Sequence, residues 1–175
     1  MSTRKTKKMN TNAVSLPANH LDPAALENCL RILSGGMSRS LKFRITDLKP
    51  KRISAEMKLL PRHLNSNGRV NGGAIMALAD QLGAVGAAMN RPAGYRGGTL
   101  ESKTNFFAAG SGPALFALCV PLHIGRTTSV WQTSVTDADG QRIAIVTQTQ
   151  MALPARAGSQ TSRTGSNSAS SPAKG

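Results

Sequence analysis

Between residues 21 and 153, apolar and polar positions follow two different rhythms. Leu41, Phe43 and Ile45 alternate with Lys42, Arg44 and Thr46, and Ile53, Ala55, Met57 and Leu59 alternate in the same way. A period of two predicts strands with one wet face. Further extended stretches are predicted over residues 98–108, 114–124, 127–137 and 141–153, the last two joined by Asp139-Gly140, a two-residue hairpin signal. Asp22-Pro23 opens a short helix with Leu26, Leu30 and Leu33 on one face, and Gly35-Gly36 ends it. Residues 61–68 predict a loop and Gly94–Gly98 a turn, since that glycine run lacks the Lys-Ser/Thr of a phosphate-binding loop. Residues 72–89 carry the other rhythm, with Ile75, Leu78, Leu82, Val85 and Met89 on one helical stripe. One long helix set among some six mostly antiparallel strands predicts an α+β domain.

The long helix has no polar face. Opposite the stripe stand Met76, Ala77, Gly83, Ala84, Ala87 and Ala88, so the helix is expected to be buried, wrapped by the sheet or covered by a second subunit. Gly83 and Gly86 each cost about 1 kcal/mol relative to Ala in a helix interior, which predicts that something packs very close to them. Asp80 is the one charge in the helix, expected at the floor of a covered cleft, where a carboxylate is costly unless hydrogen-bonded or functional. Asn71 is a good N-cap, and Gly72 and Gly73 leave the backbone N–H groups of the first turn open to an anion or a developing oxyanion. Asp80 lies eight residues beyond Gly72, roughly 12 Å along the axis. One carbonyl cannot touch both within a single chain. If both act in one reaction, the site is shared across a two-fold dimer.

Charge and composition narrow the partners. The chain has 22 Lys+Arg against 8 Asp+Glu, and half of the net +14 sits at the ends, on Arg4, Lys5, Lys7, Lys8, Arg156, Arg163 and Lys174. Residues 1–20 read as a flexible basic arm without the amphipathic pattern of a transit peptide, residues 21–153 as the domain, and residues 154–175 as a disordered tail. The basic body attracts polyanions: nucleic acid, an acidic membrane surface or a phosphorylated ligand. Aromatic content of 3% argues against a stacking platform for single-stranded nucleic acid, so nucleic acid is not the expected partner. The longest apolar run falls short of the ~20 residues of a membrane helix, so no membrane insertion is expected. Cys29 and Cys119 are unspaced for zinc and suggest a reducing, cytoplasmic compartment. His20, His63 and His123 have no ligand spacing, so no metal is expected. Trp131 and Cys119 read as core, and the absence of G-x-S-x-G argues against a serine hydrolase.

The stretch from His63 through Asn65, Gly68, Asn71, Gly72 and Gly73 to Asp80 resembles the loop and helix of hotdog-fold acyl-CoA thioesterases of the phenylacetic-acid-degradation (PaaI-like) type. Their pattern is H-x-N-x-x-G-x-x-H-G-G, with the Asp seven residues after the second Gly. Thr99-Leu-Glu-Ser-Lys-Thr-Asn105-Phe106-Phe107 resembles their next strand, and Gly125-Arg126 and the Asp137–Gly140 hairpin also fit. The similarity runs over residues 37–153. It implies one antiparallel sheet wrapped round the helix, and a homodimer or homotetramer sharing the active site.

The resemblance also implies chemistry: hydrolysis of a small or medium acyl or aryl coenzyme A thioester, with no cofactor. Asp80 becomes the general base or nucleophile, the Gly72 N–H with Asn65 nearby polarises the carbonyl oxygen, and Thr99 positions the attacking water. His63, Asn71, Gly73 and Arg126 become substrate contacts. Two departures stand out. Asn71 replaces the family His, and Ala108-Ala109 replaces an Arg-Pro, leaving Arg62, Arg69, Arg91, Arg96 and Arg126 as unassigned candidates for phosphate contacts. Two other readings use the same fold. A non-catalytic acyl-CoA-binding regulator is favoured by Asn71 and the net charge, and disfavoured by Asp80, Asn65 and Thr99. A hydratase or dehydratase would need a His with a carboxylate, and His63 is its one loop candidate.

Overall fold

The computed structural model describes residues 23–155. The predicted arm over residues 1–20 and the predicted tail from residue 156 onward lie outside the described residues. Pro154 and Ala155 belong to the fold, because Pro154 ends the last strand and the Ala155 N–H donates to Gly94 O at 3.0 Å.

The elements are α1 (Pro23–Leu33), α2 (Gly36–Leu41), β1 (Phe43–Lys49), β2 (Arg52–Lys58), α3 (Gly72–Asn90), β3 (Tyr95–Phe106), β4 (Ala114–Ile124), β5 (Thr128–Thr136) and β6 (Arg142–Pro154). The six strands form one antiparallel sheet in the order β1-β2-β4-β5-β6-β3, with α3 packed against it. This is the expected α+β hotdog arrangement. The sheet follows from the alternation in the sequence. Ile53, Ala55 and Met57 of β2 turn inward, as do Ser129, Trp131, Thr133 and Val135 of β5 and Ala144, Val146, Gln148 and Gln150 of β6.

Several local expectations are corrected. The first helix ends at Leu33, just before Gly35-Gly36 as expected, but Gly35 also caps a second helix, α2, so Leu41 closes that helix instead of opening a strand. Lys42 turns the chain in the left-handed region (φ 51°), and β1 starts at Phe43. On α1 the buried side chains are Cys29 and Leu33, four apart, while Leu30 is exposed. The small thiol takes the place against α3, with Sγ 3.8 Å from Val85 O. Of the glycine run, only Gly94 turns the chain, and Gly97 and Gly98 belong to β3. The β5–β6 hairpin is longer than two residues. Asp137 pairs with Gln141 through the backbone, its Oδ1 accepts from the N–H of Asp139 and of Gln141, and Gly140 takes φ 79°.

By length and apolarity α3 would qualify to cross a bilayer, contrary to the expectation that no segment does. Its apolar side chains are used differently here: Ile75, Leu78, Leu82 and Val85 are buried in the core beneath the sheet. On its other side, α1 and α2 cover part of the small-residue face, with Ser38 Oγ donating to Gln81 Oε1 at 2.6 Å. The two helix glycines explain how closely the sheet approaches. A side chain at Gly86 would strike the ring of Trp131, which is fully buried and donates its Nε1–H to Ser129 Oγ at 2.9 Å. One at Gly83 would strike the amide of Gln148.

Two predictions follow from this packing. Gly86→Ala gains up to about 1 kcal/mol of helix propensity but forces a methyl group into the Trp131 ring, and overpacking a rigid core costs about 1–3 kcal/mol. The urea midpoint is expected to fall; a rise would show that the indole yields freely. Burial pushes both the Cys29 and the Cys119 thiols up to about 11. Below that pH they remain protonated, and both are also enclosed. A disulfide reagent at pH 8 should therefore find no thiol in the folded protein and both after denaturation.

Candidate active site

The site is assembled where α3 faces the seam between β6 and β3. Asp80 is half-buried there. Its Oδ1 accepts two hydrogen bonds, from Thr99 Oγ1 of β3 and from Gln148 Nε2 of β6, each at 3.0 Å. Gln150 Nε2 in turn donates to Thr99 Oγ1 at 3.0 Å. The register sets this up, because Thr99 pairs directly with Gln150 across the ladder and Gln148 projects on the same face two residues earlier. The Thr99 hydroxyl is thereby fixed: it donates to Asp80, accepts from Gln150 and keeps one lone pair. Asp80 Oδ2 has no partner among the described residues.

Gln148 is an expensive residue for the fold. It is fully buried, and its Oε1 is buried without a hydrogen-bond partner. Orienting Nε2 towards Asp80 leaves that oxygen against the backbone at Gly83. An unsatisfied buried acceptor costs about 1–3 kcal/mol. What the arrangement accomplishes is to hold a carboxylate in one orientation with one oxygen free. Gln148 and Gln150 were not singled out from the sequence. The signal was present: Ala144, Val146, Gln148 and Gln150 fall on one alternating face, and two glutamines stand where the pattern calls for apolar residues.

The other predicted residues, Arg126 apart, gather at the N-terminal end of the helix. Asn71 caps α3, its Oδ1 accepting from the Gly73 N–H at 2.8 Å, and its carbonyl accepts from Ala74 and Ile75. That engages the N–H of Gly73 and leaves the N–H of Gly72 without a partner among the described residues, with the Phe106 ring against its Cα. Asn65 uses its side-chain oxygen to hold its own loop, accepting from the N–H of Asn67 and of Arg69. His63 is buried, with 2% exposure. Its Nδ1 accepts from the Leu60 N–H at 3.3 Å, and its Nε2 stands 3.4 Å from Ser40 O, so both ring nitrogens are engaged in structure. That removes the candidate base of the hydratase reading. His63, Asn71 and Gly73 border a cavity of about 260 Å³, while Arg126 stands exposed in the β4–β5 turn, outside it. Within one chain, then, Thr99 joins Asp80, whereas Gly72, Asn65, His63, Asn71 and Gly73 belong to the helix N-terminus.

A larger cavity, about 650 Å³, lies between α1, the C-terminal half of α3 and the start of β3. One end is formed by Gln81, Thr99 and Gln150, beside Asp80, and the other by Arg31, Arg91 and Arg96.

Known proteins resemble this chain over the same region. Residues 67–144 match the model of the thioesterase superfamily. A Vibrio cholerae protein provisionally named an esterase is 28% identical over 123 residues, spanning 70% of this chain and 82% of its own length. The 1,4-dihydroxy-2-naphthoyl-CoA hydrolase of Escherichia coli is 26% identical over 107 residues, spanning 61% of this chain and 79% of its own. A hypothetical thioesterase of Streptococcus pneumoniae, solved with coenzyme A, superposes with a TM-score of 0.57 at 26% identity, covering 66% of this chain and 88% of its own. The matched segment holds α3, β3, β4 and β5, and with them Asp80 and Thr99; over that segment the chain is similar to the thioesterase superfamily.

Proposed function

We propose that the protein is a PaaI-like enzyme that hydrolyses coenzyme A thioesters to a free acid and coenzyme A, with Asp80 as the base. The observation that carries this reading is the fixed carboxylate: Thr99 and Gln148 both donate to Oδ1, and Oδ2 is left for a substrate water. A water held between Oδ2 and the remaining lone pair of Thr99 Oγ1 attacks the thioester carbonyl carbon while Asp80 takes its proton. The carbon–sulfur bond then breaks, and the thiolate leaves with little need of protonation. The names of the Escherichia coli and Streptococcus pneumoniae relatives support coenzyme A as the carrier.

The carbonyl oxygen also needs a hydrogen-bond donor. The unpartnered Gly72 N–H is suited to it, but it lies roughly 12 Å along the same helix. We therefore assign the oxyanion donor to Gly72 of the partner subunit in a two-fold assembly. The edge strand β3 supports this. It is long and, among the described residues, unpaired on its outer side, with Leu100 and Phe106 more than half exposed, the kind of edge that pairs with a second copy.

Asp80→Asn keeps the shape of the site and removes the base. It is expected to lower kcat for thiol release by at least about a hundredfold, with acyl-CoA binding retained by calorimetry. Full activity in the variant would overturn the reading; binding without turnover in the wild type would favour the regulator. Gln148→Leu separates positioning from stability. It should lower kcat by about tenfold or more while the unfolding midpoint holds or rises, since the orphaned oxygen is removed with the amide.

A further inference from the structure

The larger cavity contains charges that neither the fold nor the proposed hydrolysis uses. Arg91, the C-cap of α3, is half-buried, and its guanidinium lies across Gly97 of β3, where a side chain would displace it. Arg31 of α1 and Arg96 of β3 border the same end. Burial first, and then the charge of Arg31, push the Arg91 guanidinium below its ordinary range, with Cys29, as its thiolate, acting in the opposite direction. Like charges are thus gathered without a counter-ion among the described residues. The ion pairs formed among the described residues are Arg44–Glu56, Lys49–Asp47 and Arg52–Asp47, all on the β1–β2 hairpin at the other edge of the sheet. Arg31 donates to Asn28 Oδ1, but the guanidinium groups of Arg91 and Arg96 have no partner among the described residues.

Geometry says what kind of anion fits. Gly97 and Thr99 lie two residues apart on the same face of β3, so the Arg91 guanidinium seated on Gly97 is about 7 Å along the strand from the Thr99–Asp80 pair. The wall between them includes Ile32, Ala84 and Ala87. The arm that joins the thiol of coenzyme A to its diphosphate is far longer than this interval. A short acyl chain that ends in a carboxylate matches it.

We propose that the cavity holds the acyl portion of the substrate and that Arg91, seated on Gly97 and assisted by Arg31 and Arg96, recognises a carboxylate at the far end of that acyl group. The substrate class is then a thioester of a short dicarboxylic acid, or of an aromatic acid with a second acidic group. This rests on the hydrolase reading above. Guanidinium–carboxylate pairing is directional and charge-assisted, so it discriminates against an acyl chain that lacks the acid.

The test compares kcat/KM for adipyl- and hexanoyl-coenzyme A, and for the adipyl and hexanoyl thioesters of N-acetylcysteamine, which carry no phosphate. The wild type is expected to favour adipyl by at least about tenfold on both carriers. Arg91→Met should bring the ratio close to one. Gly97→Ala should do the same by displacing the guanidinium without removing its charge, which keeps the test alive if Arg91→Met does not fold. Equal rates for the two acyl groups in the wild type would overturn the proposal, as would a preference that both variants retain. So would losses confined to coenzyme A thioesters and equal for both acyl groups, since the arginines would then serve the carrier's phosphates. If no thioester is hydrolysed, the hydrolase reading falls by itself, and calorimetric titration with hexanoate against hexanamide decides the carboxylate site. Tighter binding of hexanoate that Arg91→Met abolishes would support it, and equal binding would sink it.

Discussion

Everything in this domain depends on enclosing a helix that has no polar side. A 19-residue segment whose faces are Ile, Leu and Val on one side and Ala and Gly on the other cannot rest on a surface. The six-stranded sheet takes the large side chains, and α1 and α2 take part of the small face. Close approach on the sheet side needs gaps in the helix, which Gly83 and Gly86 supply. The same contact that seats Trp131 in the core seats Gln148 beside Asp80. Stability and the candidate site are therefore products of one helix–sheet contact.

That coupling explains the mixed chemistry at the seam of β6 and β3. A carboxylate facing a sheet needs donors, and β6 provides them from its inward positions. The fold gives up packing there, as the unsatisfied Gln148 oxygen shows. Local violations of packing rules in an otherwise consistent structure are where function is expected.

The sequence made the sheet and the long helix readable because their periods are clean, and because Asn71 before Gly72 marks the helix start without ambiguity. Asp80 stood out as the one charge in an apolar helix, and Thr99 through the family resemblance. Gln148 and Gln150 stayed hidden because alternation identifies a buried face but not which strand lies opposite which helix residue. The partnership of β3 with β6, strands separated by two others in the chain, is a tertiary fact. Short α2 was missed for a local reason: Gly35-Gly36 reads as a terminator, yet Gly35 is the cap of the next helix. The cationic end of the large cavity was beyond sequence reasoning altogether. Arg31, Arg91 and Arg96 come from three different elements, and only the glycine at position 97 makes room for one of them.

The strand order has a consequence for the order of events on the ribosome. Among the described residues β3 is hydrogen-bonded to β6 alone, so it has no strand of that sheet to dock on until residues 142–154 emerge. β1, β2, β4 and β5 can form a continuous sheet before then. Asp80, Thr99, Gln148 and Gln150 cannot meet until the last strand is made. A nascent chain halted before β6 would display an open β5 edge and a half-wrapped apolar helix, the surfaces that chaperones recognise and aggregates share. For this topology, commitment to the native state waits until β6 has been made, when one strand closes the sheet and the candidate site in a single step.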